Sequence, residues 1–392
     1  MMKFLHFFFA LTVLFISGVN AFAQEVSSPV TVPLVTETYT KDGSTYEKLG
    51  IWVSLAGSDS PELFELDTGG VGFYAAYTSN SAWWGTNFTP NGLPASNQYT
   101  SGNTYLGNQV TSSITLFSNS TSASAAISSY NNIVVGQSTN IVTSTSDWPT
   151  TTNPPVDTYF YGDFGLNLST NSDNVLNPLA QLTYANGVLP GYIITVGAYG
   201  QTNGASIQIG LTASDIANFA TKGSVFAMQG TSSNSFFPNN TNIPTLTNGQ
   251  IISGSLQIGT NSYTNVGVNL DTGTPTPKIH SDEISMSLAT NGSDINSGLS
   301  FDLSATNTNG TTSSIFSLAS TGGSYGSNQI ALDSSAGNYV TVGILPFYGN
   351  SVMYDLSDST VGIMTSIPEP STYALLALGV FAMGIAYRHR GV

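Results

Sequence analysis

The chain has 392 residues, with 22 acidic and seven basic side chains, a formal net charge of −15 at pH 7, and no cysteine. This charge balance repels nucleic acid and anionic lipid surfaces, and the lack of cysteine excludes disulfide bonds and thiol chemistry. The length is sufficient for two lobes, each with its own hydrophobic core.

The first 23 residues have the pattern of an export signal. An almost wholly apolar run at 4–19 follows Lys3, and Ala-Phe-Ala at 21–23 is a small-residue cleavage site. The pattern predicts an exported protein whose mature chain begins at Gln24. A membrane anchor is the alternative interpretation, and the cleavage site argues against it.

The body of the chain alternates short apolar runs with turns rich in Gly, Pro, Asn and Asp, and it shows no long helical period. We therefore expect a fold made mainly of β-strands, with a few short helices. Predicted strands lie at 48–56, 63–67, 98–106 (a hairpin turning at 101–103), 110–117, 132–138, 159–168, 192–197, 206–210, 254–258, 263–271, 339–344, 351–355 and 360–364. Predicted short helices lie at 178–186, at 212–221 and after Ser281, while 118–155 and 228–250 are expected to be mostly loops.

Two copies of the tripeptide Asp-Thr-Gly are the most informative feature. Asp67-Thr68-Gly69 follows the apolar run 63–66, and Asp271-Thr272-Gly273 follows the run 266–270. A lone copy is more often an ordinary turn. Two copies, each at the end of a predicted strand, instead suggest two carboxylates that meet. Paired carboxylates that share a proton are acid–base machinery for peptide hydrolysis.

Further landmarks follow in order: Tyr99 in the predicted hairpin, Asp-Phe-Gly-Leu at 163–166, Thr-Val-Gly at 341–343 and the strand pair at 351–363. With these landmarks, residues 45–365 resemble the pepsin-like, two-lobed aspartic peptidases. The resemblance implies an all-β, bilobal acid protease fold with an active-site cleft between the lobes. The N-terminal lobe would span 24–195 and the C-terminal lobe 196–366.

The resemblance also implies roles for individual residues. Asp67 and Asp271 would hold one water, with one carboxylate acting as general base and the other, protonated, polarising the scissile carbonyl. Tyr99 would close over the substrate, and Tyr74 is a second candidate for substrate contact. The implied supporting loop residues are Thr68, Gly69, Gly70, Thr272, Gly273 and Thr274, and the two threonines would hydrogen-bond across and fix the two loops. The implied substrate is an extended peptide or protein, cleaved by a monomer that needs no cofactor or metal.

Gly70 departs from the family pattern, which usually has Ser or Thr after the first Asp-Thr-Gly. The missing hydroxyl would donate a hydrogen bond to Asp67, and Asp271 keeps such a donor in Thr274. We therefore expect the shared proton to favour Asp67 and activity to extend toward neutral pH. The departure also leaves open a second function, that of a pepsin-like surface or matrix protein that binds without turnover. One histidine in the mature body cannot form a zinc cluster, and His280 is expected on the surface near a helix start.

The C-terminal residues 367–392 form a second signature. Pro-Glu-Pro at 368–370 precedes an apolar run at 373–387, and Arg-His-Arg follows at 388–390. At ~1.5 Å per residue this run spans about 22 Å as a helix, short of the ~30 Å hydrocarbon core of a bilayer. The tail resembles the PEP-CTERM sorting signal of Gram-negative bacteria, which an exosortase recognises, and a plain transmembrane anchor is the alternative. Either interpretation predicts that the export machinery delivers the protein to the cell surface, outer envelope or extracellular matrix, where the C-terminal segment tethers it at first.

Overall fold

A computed structural model gives the fold of the chain. It describes residues 25–365 except 42–43, 100, 122–125, 144–146, 149–158, 202–203, 238–239, 248, 285, 291–293, 322–328 and 335–336. The predicted export signal and the predicted C-terminal membrane segment lie outside the described residues. No helix within the described residues is both long and apolar enough to cross a bilayer.

The described residues form the following strands and helix, in chain order: β1 (Val30–Pro33), β2 (Val35–Lys41), β3 (Ser44–Leu55), β4 (Glu62–Asp67), β5 (Val71–Ala76), β6 (Phe88–Gln98), β7 (Thr104–Phe117), β8 (Ser128–Val142), β9 (Asp147–Trp148), β10 (Gly162–Leu166), β11 (Leu189–Thr195), β12 (Ser206–Leu211), α1 (Ala213–Lys222), β13 (Ser224–Ala227), β14 (Thr231–Phe237), β15 (Asn240–Leu246), β16 (Ile252–Ile258), β17 (Asn261–Asn269), β18 (Lys278–Ser281), β19 (Ala289–Thr290), β20 (Asp294–Ile295), β21 (Ser300–Thr306), β22 (Thr312–Ala319), β23 (Ala331–Asp333), β24 (Asn338–Thr341), β25 (Asn350–Asp355) and β26 (Thr360–Thr365).

Two nine-stranded sheets and one six-stranded sheet contain almost all of these strands, which makes the protein a two-lobed β structure as predicted. The first nine-stranded sheet runs β2-β3-β4-β10-β5-β8-β7-β6, with β9 on β8, and it closes on itself where β3 also pairs with β7. The second runs β19-β20-β23-β18-β24-β17-β16-β21-β22. The six-stranded sheet runs β1-β12-β11-β25-β26-β13 and so draws strands from distant parts of the chain.

The two lobes position their Asp-Thr-Gly loops in the same way. In the first lobe β10 lies parallel to β4, which ends at Asp67, and Gly165 is paired with Asp67. In the second, β24 lies parallel to β17, which ends two residues before Asp271. The predicted segments 163–166 and 341–343 therefore lie beside the two loops. The lobe boundary predicted at residues 195 and 196 stays a prediction.

Two stacked tyrosines tie the six-stranded sheet to both lobes. Tyr192 and Tyr354 are buried, with ring centroids 4.7 Å apart. The Tyr192 hydroxyl donates to the carbonyl of Leu166 in β10, and the Tyr354 hydroxyl donates to the carbonyl of Leu270, beside Asp271. A buried tyrosine is most stable with a partner for its hydroxyl, so these contacts help to fix the two loops relative to each other.

The helix predictions have mixed outcomes. The helix predicted at 212–221 is confirmed as α1, Ala213–Lys222. Thr212 and Asp215 form a reciprocal capping box that stabilises its start. The helix predicted at 178–186 is wrong. Asn177 does accept hydrogen bonds from the amides of 179 and 180, but no helix follows this turn. Tyr184 instead forms an isolated β-bridge with Val26.

The prediction after Ser281 is also wrong in extent, since a single 3₁₀ turn at Met286–Leu288 is described there. The expectation of loops at 118–155 and 228–250 fails at β8, which is longer than predicted, and at the hairpin of β14 and β15. These strands are rich in Ser, Asn and Thr. Their apolar alternation is therefore too weak to read from the sequence.

Candidate active site

Each of the two aspartates is held by the amides of its own loop. Asp67 Oδ1 accepts hydrogen bonds from the amides of Gly69 at 2.7 Å and Gly70 at 2.8 Å. Asp271 Oδ1 accepts from the amides of Gly273 at 2.8 Å and Thr274 at 3.1 Å. Such bonds fix the orientation of each carboxyl group and favour its charged form.

The two threonines of the tripeptides cross between the loops. The amide of Thr68 donates to Thr272 Oγ1 and the amide of Thr272 donates to Thr68 Oγ1, both at 3.0 Å. Their hydroxyls donate in turn to the carbonyls of Leu270, at 2.7 Å, and Leu66, at 2.5 Å. Both side chains are buried. The crossed bonds are the contact predicted for this pair, and they hold the two aspartates in register.

Thr68→Val should therefore lower the free energy of unfolding by about 1–3 kcal/mol, because it leaves the buried amide of Thr272 without its acceptor and removes the hydroxyl that donates to the carbonyl of Leu270. Denaturant unfolding measures the change. Thr260→Val, at an exposed threonine, is the matched control and should change stability by less than about 0.5 kcal/mol. Equal effects for the two variants would contradict a structural role for the crossed bonds.

The two carboxyl groups face each other across the loops. A Cβ placed on Gly69 would lie 2.3 Å from Asp271 Cγ, and one placed on Gly273 would lie 2.5 Å from Asp67 Cγ. Each carboxyl group thus packs on the glycine of the opposite loop, where no side chain fits. Glycine is needed in both tripeptides for this close approach, since neither has a positive φ.

Burial raises the pKa of both aspartates, and their mutual contact couples them. For Asp67, burial acts first, the charge of Glu65 raises the pKa further, and bonds from Asp271 and the loop amides lower it. For Asp271, burial and then the charge and hydrogen bond of Asp67 raise the pKa well above its usual range, opposed by Thr274 and Gly273. Two buried carboxyl groups in contact cannot both ionise cheaply, so the pair retains one shared proton to higher pH than a free aspartate would.

The two loops differ at the position after the tripeptide. Thr274 Oγ1 donates to Asp271 Oδ2 at 2.8 Å, as expected. A Cβ on Gly70 would lie 2.7 Å from Asp67 Oδ2 and 3.0 Å from Asp163 Oδ2, so two carboxyl oxygens fill the space of a side chain. Gly70 is not in the left-handed region, so crowding and not backbone conformation disfavours serine there. Which aspartate favours the proton stays a prediction.

A cavity of about 390 Å³ opens over the aspartates. It is lined by both loops, by the β6–β7 hairpin and by polar residues of the second lobe. Tyr99, at the hairpin turn, lines it, and its hydroxyl is buried and faces Asp163. Tyr74 does not line it: this side chain is fully buried, and its hydroxyl accepts a 2.7 Å hydrogen bond from Asn171. We therefore expect Tyr74 to support the fold beneath the hairpin and not to touch substrate.

Sequence analysis assigns no site role to three polar residues of the cavity, Lys48, Glu65 and Asp163. Lys48 and Glu65 form a buried ion pair with 2.7 Å between Nζ and Oε1. Asp163 is buried next to Gly70. Glu65 and Asp163 are acids within otherwise apolar strands. This pattern is the sequence feature that could have identified them, because a buried acid needs a cation, a proton or a hydrogen-bond donor.

The expectation that His280 lies on the surface is wrong. It is 5 % exposed, lines the cavity and stacks on Tyr339 with ring centroids 4.2 Å apart. Its Nδ1 lies 3.4 Å from Asp333 Oδ2. Burial and nearby Lys278 lower the pKa of His280, against the opposing pull of Asp333. The position lies in β18, which packs inside the second sheet and not at a helix start.

Comparisons with known proteins concern the fold and the C-terminal tail. A family profile described as the PEP-CTERM protein-sorting motif matches residues 366–390. The fold is similar to that of an aspartic proteinase from Irpex lacteus, at 15 % identity and a TM-score of 0.52, over 86 % of this chain and 98 % of that one. It is also similar to conglutin gamma, a basic 7S globulin from lupine seeds, at 10 % identity and a TM-score of 0.54, over 86 % and 96 % of the two chains.

No curated protein matches the sequence. The structural likeness, at these identities, concerns the fold. The sorting motif indicates an exported, surface-associated protein that is recognised by exosortase-like sorting. The chain therefore has the fold of the pepsin-like aspartic proteinases and ends in a PEP-CTERM sorting motif.

Proposed function

We propose that the protein is an aspartic endopeptidase that hydrolyses peptide bonds with a water activated by Asp67 and Asp271. The observation that carries the proposal is the facing pair of carboxyl groups. Each is fixed by two loop amides, and the two loops are joined by the crossed threonines. A charge-only or structural role would not require two buried acids in contact, because that contact is costly.

The chemistry follows from the shared proton. The ionised carboxylate takes a proton from the water as the water oxygen attacks the peptide carbonyl carbon, and the protonated partner gives its proton to the carbonyl oxygen. The tetrahedral diol then breaks its C–N bond as the nitrogen receives a proton from one carboxyl group of the dyad, and a diol hydroxyl returns a proton to the other, which leaves an amine and a carboxylic acid. The pair ends with one proton, as it began, so no metal or cofactor enters the balance.

The cleft has the properties that an extended peptide needs. The cavity runs from the hairpin residues Asn97–Tyr99 and Asn103 to Thr341 in the second lobe. Closure of Tyr99 over a bound peptide would exclude water from the dyad and strengthen the electrostatic interactions there. We propose Tyr99 as the residue of the hairpin that covers the scissile bond.

Raised pKa values set the direction of the pH dependence. Activity needs one proton on the dyad, and burial raises the pKa of both members. The alkaline limb of the pH–rate profile should therefore lie above the usual aspartate range near 3.9. Stopped assays of kcat/KM between pH 3 and 8 measure the limb.

A binding protein without turnover is the second candidate. Gly70 favours it, and so does the similarity of the fold to a seed globulin. A pepstatin-sensitive peptide cleavage assay between about pH 3 and 7 separates the two candidates. Cleavage that pepstatin inhibits supports the peptidase, whereas specific peptide binding without product at any pH in this range supports the binding module.

For the location, we propose the cell surface, outer envelope or extracellular matrix of a Gram-negative bacterium, with the tail as an initial tether. The last described strand, β26, ends at Thr365. Deletion of 368–392 should therefore leave a soluble domain with unchanged kcat and melting temperature. Purified full-length and truncated chains, compared by calorimetry and cleavage rate, test this; a truncated chain that fails to fold would contradict it.

A further inference from the structure

Asp163 is a third buried carboxyl group at the acid centre, and the mechanism above gives it no role. It lies on β10 beside Glu65 in the parallel ladder, and it is 3 % exposed. Its Oδ1 has no hydrogen-bond partner. A buried carboxyl group without a full set of partners lowers stability. The burial of Asp163 beside the dyad therefore suggests a functional role.

The Asp163 carboxyl group lies where a side chain at Gly70 would be. The point where a side chain at Gly70 would begin lies within 3.0 Å of one oxygen of Asp163 and one oxygen of Asp67. In the second lobe, Thr341 is paired with Asn269 as Asp163 is paired with Glu65, so Thr341 is the counterpart of Asp163. One lobe therefore combines Thr274 with Thr341, and the other combines Gly70 with Asp163.

The charge balance indicates that Asp163 is neutral. The cavity is lined by four acids, Glu65, Asp67, Asp163 and Asp271, and among the described lining residues the lysine is Lys48. Lys48 pairs with Glu65 at 2.7 Å. The dyad carries one negative charge when it holds one proton, and a further buried charge on Asp163 would face both that charge and Glu65 without a cation of its own.

The groups that face Asp163 from each neighbouring element are Asp67 and Glu65 on β4, Lys48 on β3, Tyr74 on β5 and Tyr99 on the hairpin. Burial, then the charge of Asp67 and that of Glu65, raise the pKa of Asp163 well above its usual range. Tyr99 and Lys48 lower it and do not reverse the direction. The neutral acid is therefore the form that the surroundings favour.

We propose that Asp163 is a positioning residue that replaces the hydroxyl missing at Gly70: its neutral carboxyl group fills that space and donates a hydrogen bond toward Asp67 Oδ2, directly or through one water. Thr274 makes the corresponding bond to Asp271 Oδ2 in the other lobe. The acid centre then consists of three carboxyl groups that hold two protons. This inference rests on the proposed function, because the bond matters for the ionised form of Asp67.

The test compares two replacements of similar size. Asp163→Asn keeps a neutral donor, whereas Asp163→Leu fills the space without one. A hydrogen bond to a charged group corresponds to about 10- to 100-fold in rate, so kcat of Asp163→Asn should exceed that of Asp163→Leu by at least about tenfold. The alkaline limb of Asp163→Leu should also move to higher pH, because Asp67 loses a donor to its charged form. Equal kcat and equal limbs for the two variants would overturn the proposal.

A swap between the lobes gives a second test. Gly70→Ser alone crowds two carboxyl groups, and Asp163→Thr alone replaces the carboxyl group by a shorter hydroxyl that does not fill the space at Gly70, so each should lower kcat by about tenfold or more. The double variant Gly70→Ser/Asp163→Thr recreates the hydroxyl arrangement of the second lobe and should regain most of the wild-type rate. Additive losses in a folded double variant would overturn the proposal. If Gly70→Ser alone does not fold, a kcat of the double variant above that of Asp163→Thr still supports the proposal, and an equal or lower kcat contradicts it.

Carboxyl carbon-13 NMR separates this inference from the proposed function. The Asp163 signal, assigned by its loss in Asp163→Asn, should stay at the chemical shift of a protonated acid at pH 6. A shift typical of a carboxylate at that pH would overturn the proposal whether or not the chain cleaves peptides. A protonated Asp163 in a chain without any pepstatin-sensitive cleavage would instead support the neutral third acid and contradict the peptidase.

Discussion

Asp67→Asn and Asp271→Asn should each lower kcat for peptide cleavage by about 10⁴-fold, to background, while leaving the fold intact. One member of the pair must accept a proton from water and the other must deliver one, and an amide does neither at the required pH. The loop amides can still donate to the amide oxygen in each variant, so the geometry of the loops should hold. Single-turnover assays with a fluorogenic peptide measure the loss.

The two Asn variants should be more stable than the wild type at neutral pH, although they lose activity. Burial raises the pKa of both aspartates in the folded chain, so the folded state binds their protons more tightly than the unfolded state does. Stability is therefore fully present below the ordinary aspartate pKa and is lost as pH rises toward the folded values. Each Asn variant should unfold with wild-type stability near pH 3 and be the more stable protein near pH 7.

Asp59→Asn is the matched control for both measurements, because Asp59 is exposed and does not line the cavity. It should leave kcat and the pH dependence of unfolding as in the wild type. Cleavage retained by either dyad variant would remove the proposed mechanism. A pH profile of stability unchanged in both would show that the buried pair does not retain a proton.

The fold and the two facing aspartate loops could be predicted from sequence because each depends on local patterns. Asp67 and Asp271 each follow an apolar run, and the tyrosine hairpin and the segments 163–166 and 341–343 follow in the order that the family resemblance implies. The resemblance also implies the crossed threonines, and the structure has them. These features concern few residues, close in sequence, with strong conformational preferences.

Asp163, Lys48 and His280 could not be placed in the same way, because their roles depend on which strands pair. Lys48 meets Glu65 because β3 and β4 are antiparallel with Gly50 opposite Glu65. Asp163 meets Gly70 because β10 runs parallel to β4. His280 is buried because β18 lies inside a sheet and is not followed by the expected helix. Sheet order is a long-range property that apolar periodicity alone does not encode.

Lys48→Met should lower the free energy of unfolding at pH 7 by about 3–5 kcal/mol, since Glu65 would lose the cation that faces it at 2.7 Å in a buried setting. The loss should shrink toward pH 4, where glutamate is increasingly protonated in the unfolded chain and the folded variant no longer has to bury a charge. Urea unfolding at a series of pH values measures this trend.

Two further variants isolate the ion pair as the cause. Lys222→Met removes a lysine from the exposed last turn of α1 and should change stability by less than about 1 kcal/mol. Lys48→Met/Glu65→Leu replaces both charges by apolar groups and should recover most of the loss, because a buried pair is often no more stable than a well-packed apolar pair. The double variant also removes the Glu65 charge that raises the pKa of Asp67. The alkaline limb of its pH–rate profile should therefore move to lower pH, and a limb that stays in place would show that Lys48 already neutralises Glu65 at the dyad.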